Sequence, residues 1–313
     1  MTLQDMMMLY GVTLGKRRTK REKYLFAQHL SEELTAKGWQ IRVQSAAGRL
    51  LRVTNLIAGD LSRAGTLIVV PYDTLTRAVW PGGYYPFHPE LTVKAGQRDI
   101  ALRLVLAILL AGLAWLPLGT ALARRGIWLL LVLVAVLLVA GTLLLVRGRS
   151  NPFNFNRASA SVAVAVKLAE ELAGRKDVAI AFCDQAAASY EGYKLLAKEL
   201  PRVPSVVVLD AIAKGDRLVL ACGPEGERGA RRLLELLPQA TGRFYREEEV
   251  GRNLLSVFPN AMVLTGGTVE KGELVVRGTC TPKDVGLDLP RLERIEAALA
   301  AYVKGGPSHS AKN

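Results

Sequence analysis

Histidine and cysteine are scarce in this chain of 313 residues, with three of each: His29, His88 and His309, and Cys183, Cys222 and Cys280. The cysteines are odd in number and far apart, which suits reduced thiols in a cytosolic setting and excludes a disulfide framework or a zinc ribbon. A secretory start is also missing. The opening "MTLQDMMMLYGVTLGKRR" has neither the basic-then-apolar order nor the apolar length of a signal segment. The densest basic run, "KRRTKREK" at Lys16 to Lys23, holds no aromatic residue of the kind that stacks on bases. Nucleic acid is therefore not expected as a partner, despite a formal net charge of +13. The run reads as a solvated helix face near acidic lipid.

Charge itself is absent from two long stretches. Leu104 to Ala123, "LVLAILLAGLAWLPLGTALA", has twenty uncharged residues, and Gly126 to Val146 has twenty-one more after Arg124 and Arg125. Each is long enough to cross a hydrocarbon core of ~30 Å. So short a link predicts a two-helix hairpin, with Pro117, Gly119 and the two arginines at its turn and Trp115 and Trp128 near the far interface. Neither span carries Asp, Glu, Lys or His, so no ion or proton path is expected. An anchor or docking surface is, with Ala111-Gly112 and Ala140-Gly141 available for close helix packing. Arg98, Arg103, Arg147 and Arg149 outnumber the two arginines of the tip, which places the soluble domain on the cytoplasmic side of the cell membrane.

On either side of the hairpin, helix-like and strand-like stretches alternate. "REKYLFAQHLSEELTAKGW" has helical apolar spacing and stops at Gly38, and "QIRVQS", "LLRVTNLIAG" and "TLIVV" read as strands. After the hairpin come "SASVAVAVKLAEELAG" as helix, "DVAIAFCD" as strand, "YEGYKLLAKEL" as helix and "SVVVLDAI" as strand. Then "DRLVLACG" and "ERGARRLLELLPQ" continue the alternation, and "AMVLTGG", "GELVVRGT" and "PRLERIEAALAAYV" close it. The rhythm predicts an α/β fold, a mostly parallel (mixed) sheet flanked by helices. The expected division is residues 1–99 as the first part of the α/β domain, 100–147 as the membrane hairpin inserted in it, 148–303 as the second part, and 304–313 as a disordered tail.

Five motifs stand at strand ends and turns: "PYDT" at Pro71 to Thr74, "NRASA" from Asn156, "DQAA" from Asp184, "VVVLDA" with Asp210, and "CTPKD" from Cys280. In this order the chain resembles the di-zinc aminopeptidase family, the zinc-dependent exopeptidases that include bacterial leucyl aminopeptidases, over nearly all its soluble length. The resemblance implies zinc ligands at Pro71, Asn156, Ala187, Asp210 and Cys280, and a general base at Ala186. Only Asp210 keeps the family's residue type. Asp73, which in the family orients the first zinc histidine, is left without it.

A catalytic zinc takes three protein ligands and a water, which Asp210 and Cys280 alone do not supply. No catalytic residue, metal or other cofactor is therefore expected, and the resemblance implies a pseudopeptidase that works by binding. The old cleft, lined by Asp73, Asn156, Asp184, Asp210 and Cys280, is then the candidate site for a peptide or small-molecule ligand. A membrane-protein partner or a second copy would meet the hairpin. The alternative is a zinc-dependent aminopeptidase-type hydrolase with a reduced or rearranged site, for which His88, Asp210 and Cys280 are candidate ligands. The blander reading of His88, in "WPGGYYPFHPE", is an interfacial loop. Cys183 beside Asp184 lacks a nearby histidine and reads as a buried structural thiol. "GPEGERG" has the wrong spacing for a phosphate loop and reads as a turn into a helix.

Overall fold

The apolar, largely β-branched run at Thr66–Pro71 forms β3, buried along its whole length, as a strand covered on both faces should be. Its neighbours in the sheet are β4 (Val178–Cys183) and β5 (Ser205–Asp210), both parallel to it. β8 (Ala261–Glu270) continues the parallel core beyond β5. Antiparallel strands extend both sides: β2 (Arg52–Ala58) and β1 (Ile41–Ala47) next to β4, and β6 (Arg217–Cys222) next to β8. β7 (Ala240–Phe244) lies parallel to β6, and β9 (Glu273–Val275) pairs with the end of β8. The order is β1-β2-β4-β3-β5-β8-β6-β7, a mixed sheet with a parallel centre. This is a computed structural model, and it describes residues 1–47, 52–123, 128–186, 189–201, 203–251 and 253–306, without the side chains of residues 116–128.

Alternate side chains of the central strands feed two cores. Ile68, Val70, Ile180, Phe182, Val207 and Leu209 face the core shared with α1 (Leu3–Met8), α2 (Lys20–Ala36), α5 (Ala160–Glu171) and α8 (Leu289–Lys304). Leu67, Val69, Ala179, Ala181, Val206 and Val208 face the other, with Tyr193 and Leu196 of α6 (Glu191–Glu199). α7 (Glu227–Leu236) adds Ala230 and Leu233 to the first core.

The extreme N-terminus, for which the sequence predicts no element, is a buried helical arm: Met6, Met7 and Tyr10 have no exposed surface. The basic run after it is not one solvated face, because it straddles a helix start. Thr19 caps α2 in a reciprocal capping box with Glu22, so only the residues from Lys20 onward lie on a helix. Thr19→Ala should cost about 1 kcal/mol, seen as a thermal midpoint lowered by about 2–4 °C in detergent.

α3 (Pro89–Ala123) and α4 (Trp128–Arg147) pack against each other, and a Cβ at Gly141 would lie 3.9 Å from Leu110. α4 is apolar and long enough, over Leu129–Arg147, to cross a membrane. α3 differs from expectation at both ends. It begins at Pro89, fifteen residues before the apolar stretch, and there Asp99 accepts the backbone N–H of Val79 and Trp80 and pairs with Arg103, fixing this part of the helix to the domain. It also runs through Pro117 and Gly119 to Ala123, so these two residues are helical and not a turn; a proline forfeits one backbone bond, which a packed apolar helix tolerates. The expected tip at Arg124 and Arg125 and most of the expected tail lie outside the described residues.

Candidate functional site

The carboxyl ends of the parallel strands gather at one edge of the sheet, where ligands collect in open α/β folds. Pro71 closes β3 opposite Cys183. Asp73, just beyond, accepts the Ala186 N–H at 2.9 Å and so holds the turn that follows β4. That turn and the one after β5 each bend through a left-handed residue, Gln185 with φ 46° and Ala211 with φ 56°. Both conformations are sparsely populated for residues with a Cβ and mark strand ends shaped for a site.

Five residues were expected to line the cleft, and the structure divides them. Asp184 forms an ion pair with Lys23 at 2.5 Å and also accepts the backbone N–H of Gln185 and Thr54. Asn156 lies in a π-helical turn (Phe155–Ser159); its amide oxygen accepts the N–H of Ala213 at 2.9 Å and of Lys214 at 3.3 Å, pinning the loop after β5. Asn156 therefore acts here as a loop cap. Asp73, Asp210 and Cys280 do share a neighbour, the guanidinium of Arg157, whose electrostatic partners are Tyr84, Asp210, Cys280 and Asp73. Ala187 lies outside the described residues.

Arg157 and Tyr84 are the residues that sequence reasoning missed. Arg157 is buried and stacks 3.6 Å over the Tyr84 ring. Burial works to lower its pKa, but the surrounding groups carry it above the ordinary arginine value, so it is a fixed cation. Tyr84 reaches in from the loop before α3, where its backbone pairs with Val276 in both directions, and its hydroxyl donates to Asp210 Oδ2 in a short hydrogen bond. Burial raises the pKa of Asp210, against the pull of Arg157 and of the Tyr84 hydroxyl. It raises that of the Cys280 thiol too, with Arg157 opposing.

Deeper still, Arg17 is wholly buried. Its guanidinium donates to the carbonyls of Tyr72, Tyr10 and Leu14 and to Ser159 Oγ, and its ring partner is Phe26 at 4.8 Å. Burial pulls its pKa down to about 9, with Asp73 opposing, so it stays charged at neutral pH. Two buried guanidiniums thus flank Asp73, and the carboxylate that resemblance leaves without a zinc histidine has two cationic neighbours instead.

Zinc does not fit this set of donors. A divalent ion between Asp210 and Cys280 would sit against the Arg157 charge, and one Asp210 oxygen is already engaged by Tyr84. Among the described residues no three His, Cys, Asp or Glu side chains converge as a metal site. His88 does not join Asp210 and Cys280; its ring nitrogens face Glu90 at 3.1 Å and Glu273 at 2.6 Å. Cys183 is buried and its thiol pKa is pushed well up by burial, as a structural cysteine requires. A cavity of about 410 Å³ opens from Cys280, Arg157 and Tyr84 towards Trp80, Asp99 and Ile100, between the loop and the first turns of α3.

Asp284 is buried beside this centre, accepting the Asn156 N–H at 3.1 Å, and burial raises its pKa to about 6. Its folded pKa lies above the unfolded value of 3.8, so its contribution is complete below about pH 3.8 and is lost as pH rises through about 6. Asp284→Asn keeps the acceptor without the charge. It should stabilise the protein by up to about 3 kcal/mol at pH 7.5 and by almost nothing at pH 4, in paired thermal melts.

No protein-family model matches the chain, and no curated protein matches it. Solved structures do. Glutaminyl cyclase from Porphyromonas gingivalis is similar with a TM-score of 0.56 at 12% identity, covering 97% of this chain and 95% of that one. A Zn-dependent exopeptidase from Parabacteroides distasonis has a TM-score of 0.54 at 12% identity, covering 96% and 94%. The LapA aminopeptidase of Legionella pneumophila has a TM-score of 0.54 at 10% identity, covering 96% of this chain and 68% of its own. Glutaminyl cyclases are an addition to the aminopeptidases that the motifs resemble. At these identities the likeness concerns the fold, and the chain has the α/β architecture shared by glutaminyl cyclases and zinc-dependent exopeptidases.

Proposed function

We propose that this protein is a membrane-anchored, catalytically inactive relative of the zinc aminopeptidases that acts by binding, as a scaffold or receptor on the cytoplasmic face. One observation carries the reading: a buried guanidinium, stacked on Tyr84 and facing Asp210 and Cys280, supplies positive charge where the resemblance implies zinc ligands. Without metal nothing lowers the pKa of a water towards ~7, and with Ala186 at the base position no side chain takes its proton. The cavity beside Arg157 is the place for a peptide or small-molecule ligand, with apolar walls and one cation at its floor. Anchoring is assigned to residues 100–147 within α3 and α4, between soluble parts 1–99 and 148–303. The exposed Ile108, Leu113, Leu133, Leu137 and Leu143 support it, as does the excess of arginine at the domain end.

A second reading, a hydrolase with a rearranged metal site, is favoured by one detail: Asp210 Oδ1 is buried and accepts no hydrogen bond among the described residues. It requires Arg157 to swing away. Elemental mass spectrometry of detergent-purified protein, beside an Asp210→Ala, Cys280→Ala control, separates the two. Zinc no higher than in the control is expected. Near-stoichiometric zinc that the control loses would overturn the binding reading and establish the hydrolase.

A further inference from the structure

We propose that the groove at the domain end of α4 is a binding site for the phosphate group of an anionic phospholipid. The groove, about 380 Å³, is lined by Lys16, Arg18, Arg77, Arg147 and Arg149, with Glu22 as its one acid. The acid is already engaged: its carboxylate accepts the N–H of Thr19 and Arg18 and the hydroxyl of Ser150. Among the described residues, none of the five cations is in an ion pair. Five positive charges therefore converge on a concave surface with little of their own protein to neutralise them.

The walls are held in place. The Arg18 guanidinium donates to the carbonyl of Arg147 at 2.5 Å, fastening the basic arm to the last turn of α4. The Arg77 N–H donates to the Arg149 carbonyl at 2.8 Å, fastening the loop after β3 to the same segment. The Arg77 and Arg149 side chains, like that of Lys16, remain exposed. Any compact phosphate would satisfy this chemistry. Position selects the lipid: Leu143, Leu144 and Val146, all exposed and apolar, stand within about one helical turn of Arg147, so a phosphate in the groove leaves its acyl chains alongside α4. The assignment rests on the membrane anchoring proposed above.

The test uses the full chain in detergent, titrated with phosphatidylglycerol or phosphatidylcholine and read by native mass spectrometry, with inorganic phosphate as competitor. Lys16→Gln, Arg77→Gln and Arg149→Gln together leave the backbone bonds of the walls intact. Each cation near an acidic lipid is worth roughly fivefold in binding, so the triple variant should bind phosphatidylglycerol on the order of a hundredfold more weakly. A second triple variant, Lys198→Gln, Arg228→Gln and Lys271→Gln, removes equal charge from exposed positions elsewhere and should bind like the wild type. Unchanged binding in the first variant, or equal loss in the second, would overturn the site. Displacement of the lipid by an equal concentration of inorganic phosphate would overturn the lipid assignment. Alkaline extraction of native membranes is run in parallel: release of the protein would sink the anchoring itself, whereas retention without lipid selectivity would sink only the groove.

Discussion

Replacing Arg17 by methionine is expected to lower the unfolding free energy by about 3–5 kcal/mol, the usual range for removing one partner of a buried, hydrogen-bonded charge. The side chain donates to the Tyr72 and Leu14 carbonyls together, and it also ties the N-terminal arm to Ser159 at the start of α5. Methionine fills much of the volume but leaves those acceptors unmatched and Asp73 with one cation fewer. The arm should then loosen before the rest, so limited proteolysis would cut within residues 1–19 while the sheet remains protected. A thermal midpoint equal to that of the wild type would mean that the guanidinium's hydrogen bonds merely offset its burial.

The second large effect concerns Arg157. Arg157→Met should cost about 3–5 kcal/mol by the same physics, because Asp210 is buried and one of its oxygens accepts no hydrogen bond among the described residues. Arg157→Met combined with Asp210→Asn removes both charges. It should recover much of the loss, with a coupling of about 0.5–3 kcal/mol in a double-mutant cycle of melts. Additive losses would show that Arg157 acts through its stacking on Tyr84 and not through the carboxylate. Adding zinc to the single variant separates charge compensation from metal replacement: the first predicts no change in midpoint with zinc, the second a rise.

Much of the architecture is legible in the residues. The uniform apolar runs of β3, β4 and β5 predict strands buried on both faces, and Gly38, at φ 87°, closes α2 where the glycine stands. β7 escapes notice because "ATGRF" has neither alternation nor a β-branched run; it is held as a strand by pairing with β6. The absence of a side-chain donor at Pro71 and Ala186, where the resemblance implies a zinc ligand and a general base, is equally legible. Its counterpart is not. Arg157 follows Asn156 directly and is the lone charge in "NPFNFNRASASVAVAV", a signal available in the sequence, since an isolated cation in an apolar stretch needs a buried partner. Tyr84 gives no such signal, because a tyrosine in a Gly- and Pro-rich loop suits a membrane interface as well as a buried hydroxyl. Arg17 is hidden by its neighbours: Lys16 and Arg18 are at the surface, and only the fold separates one arginine of the run from the others.

The pairing of β3 with β4, Pro71 opposite Cys183, has a consequence for how the protein is made. Both strands that flank β3 are translated after α4, so the first hundred residues to leave the ribosome contain β1 and β2 as a pair but no partner for β3. At ordinary synthesis rates β4 arrives on the order of ten seconds after β3. During that interval an apolar strand waits with both edges open while α3 and α4 are synthesised. Sheet closure therefore waits until both helices have been made, and a nascent chain stalled before Val178 would be a client for holding chaperones.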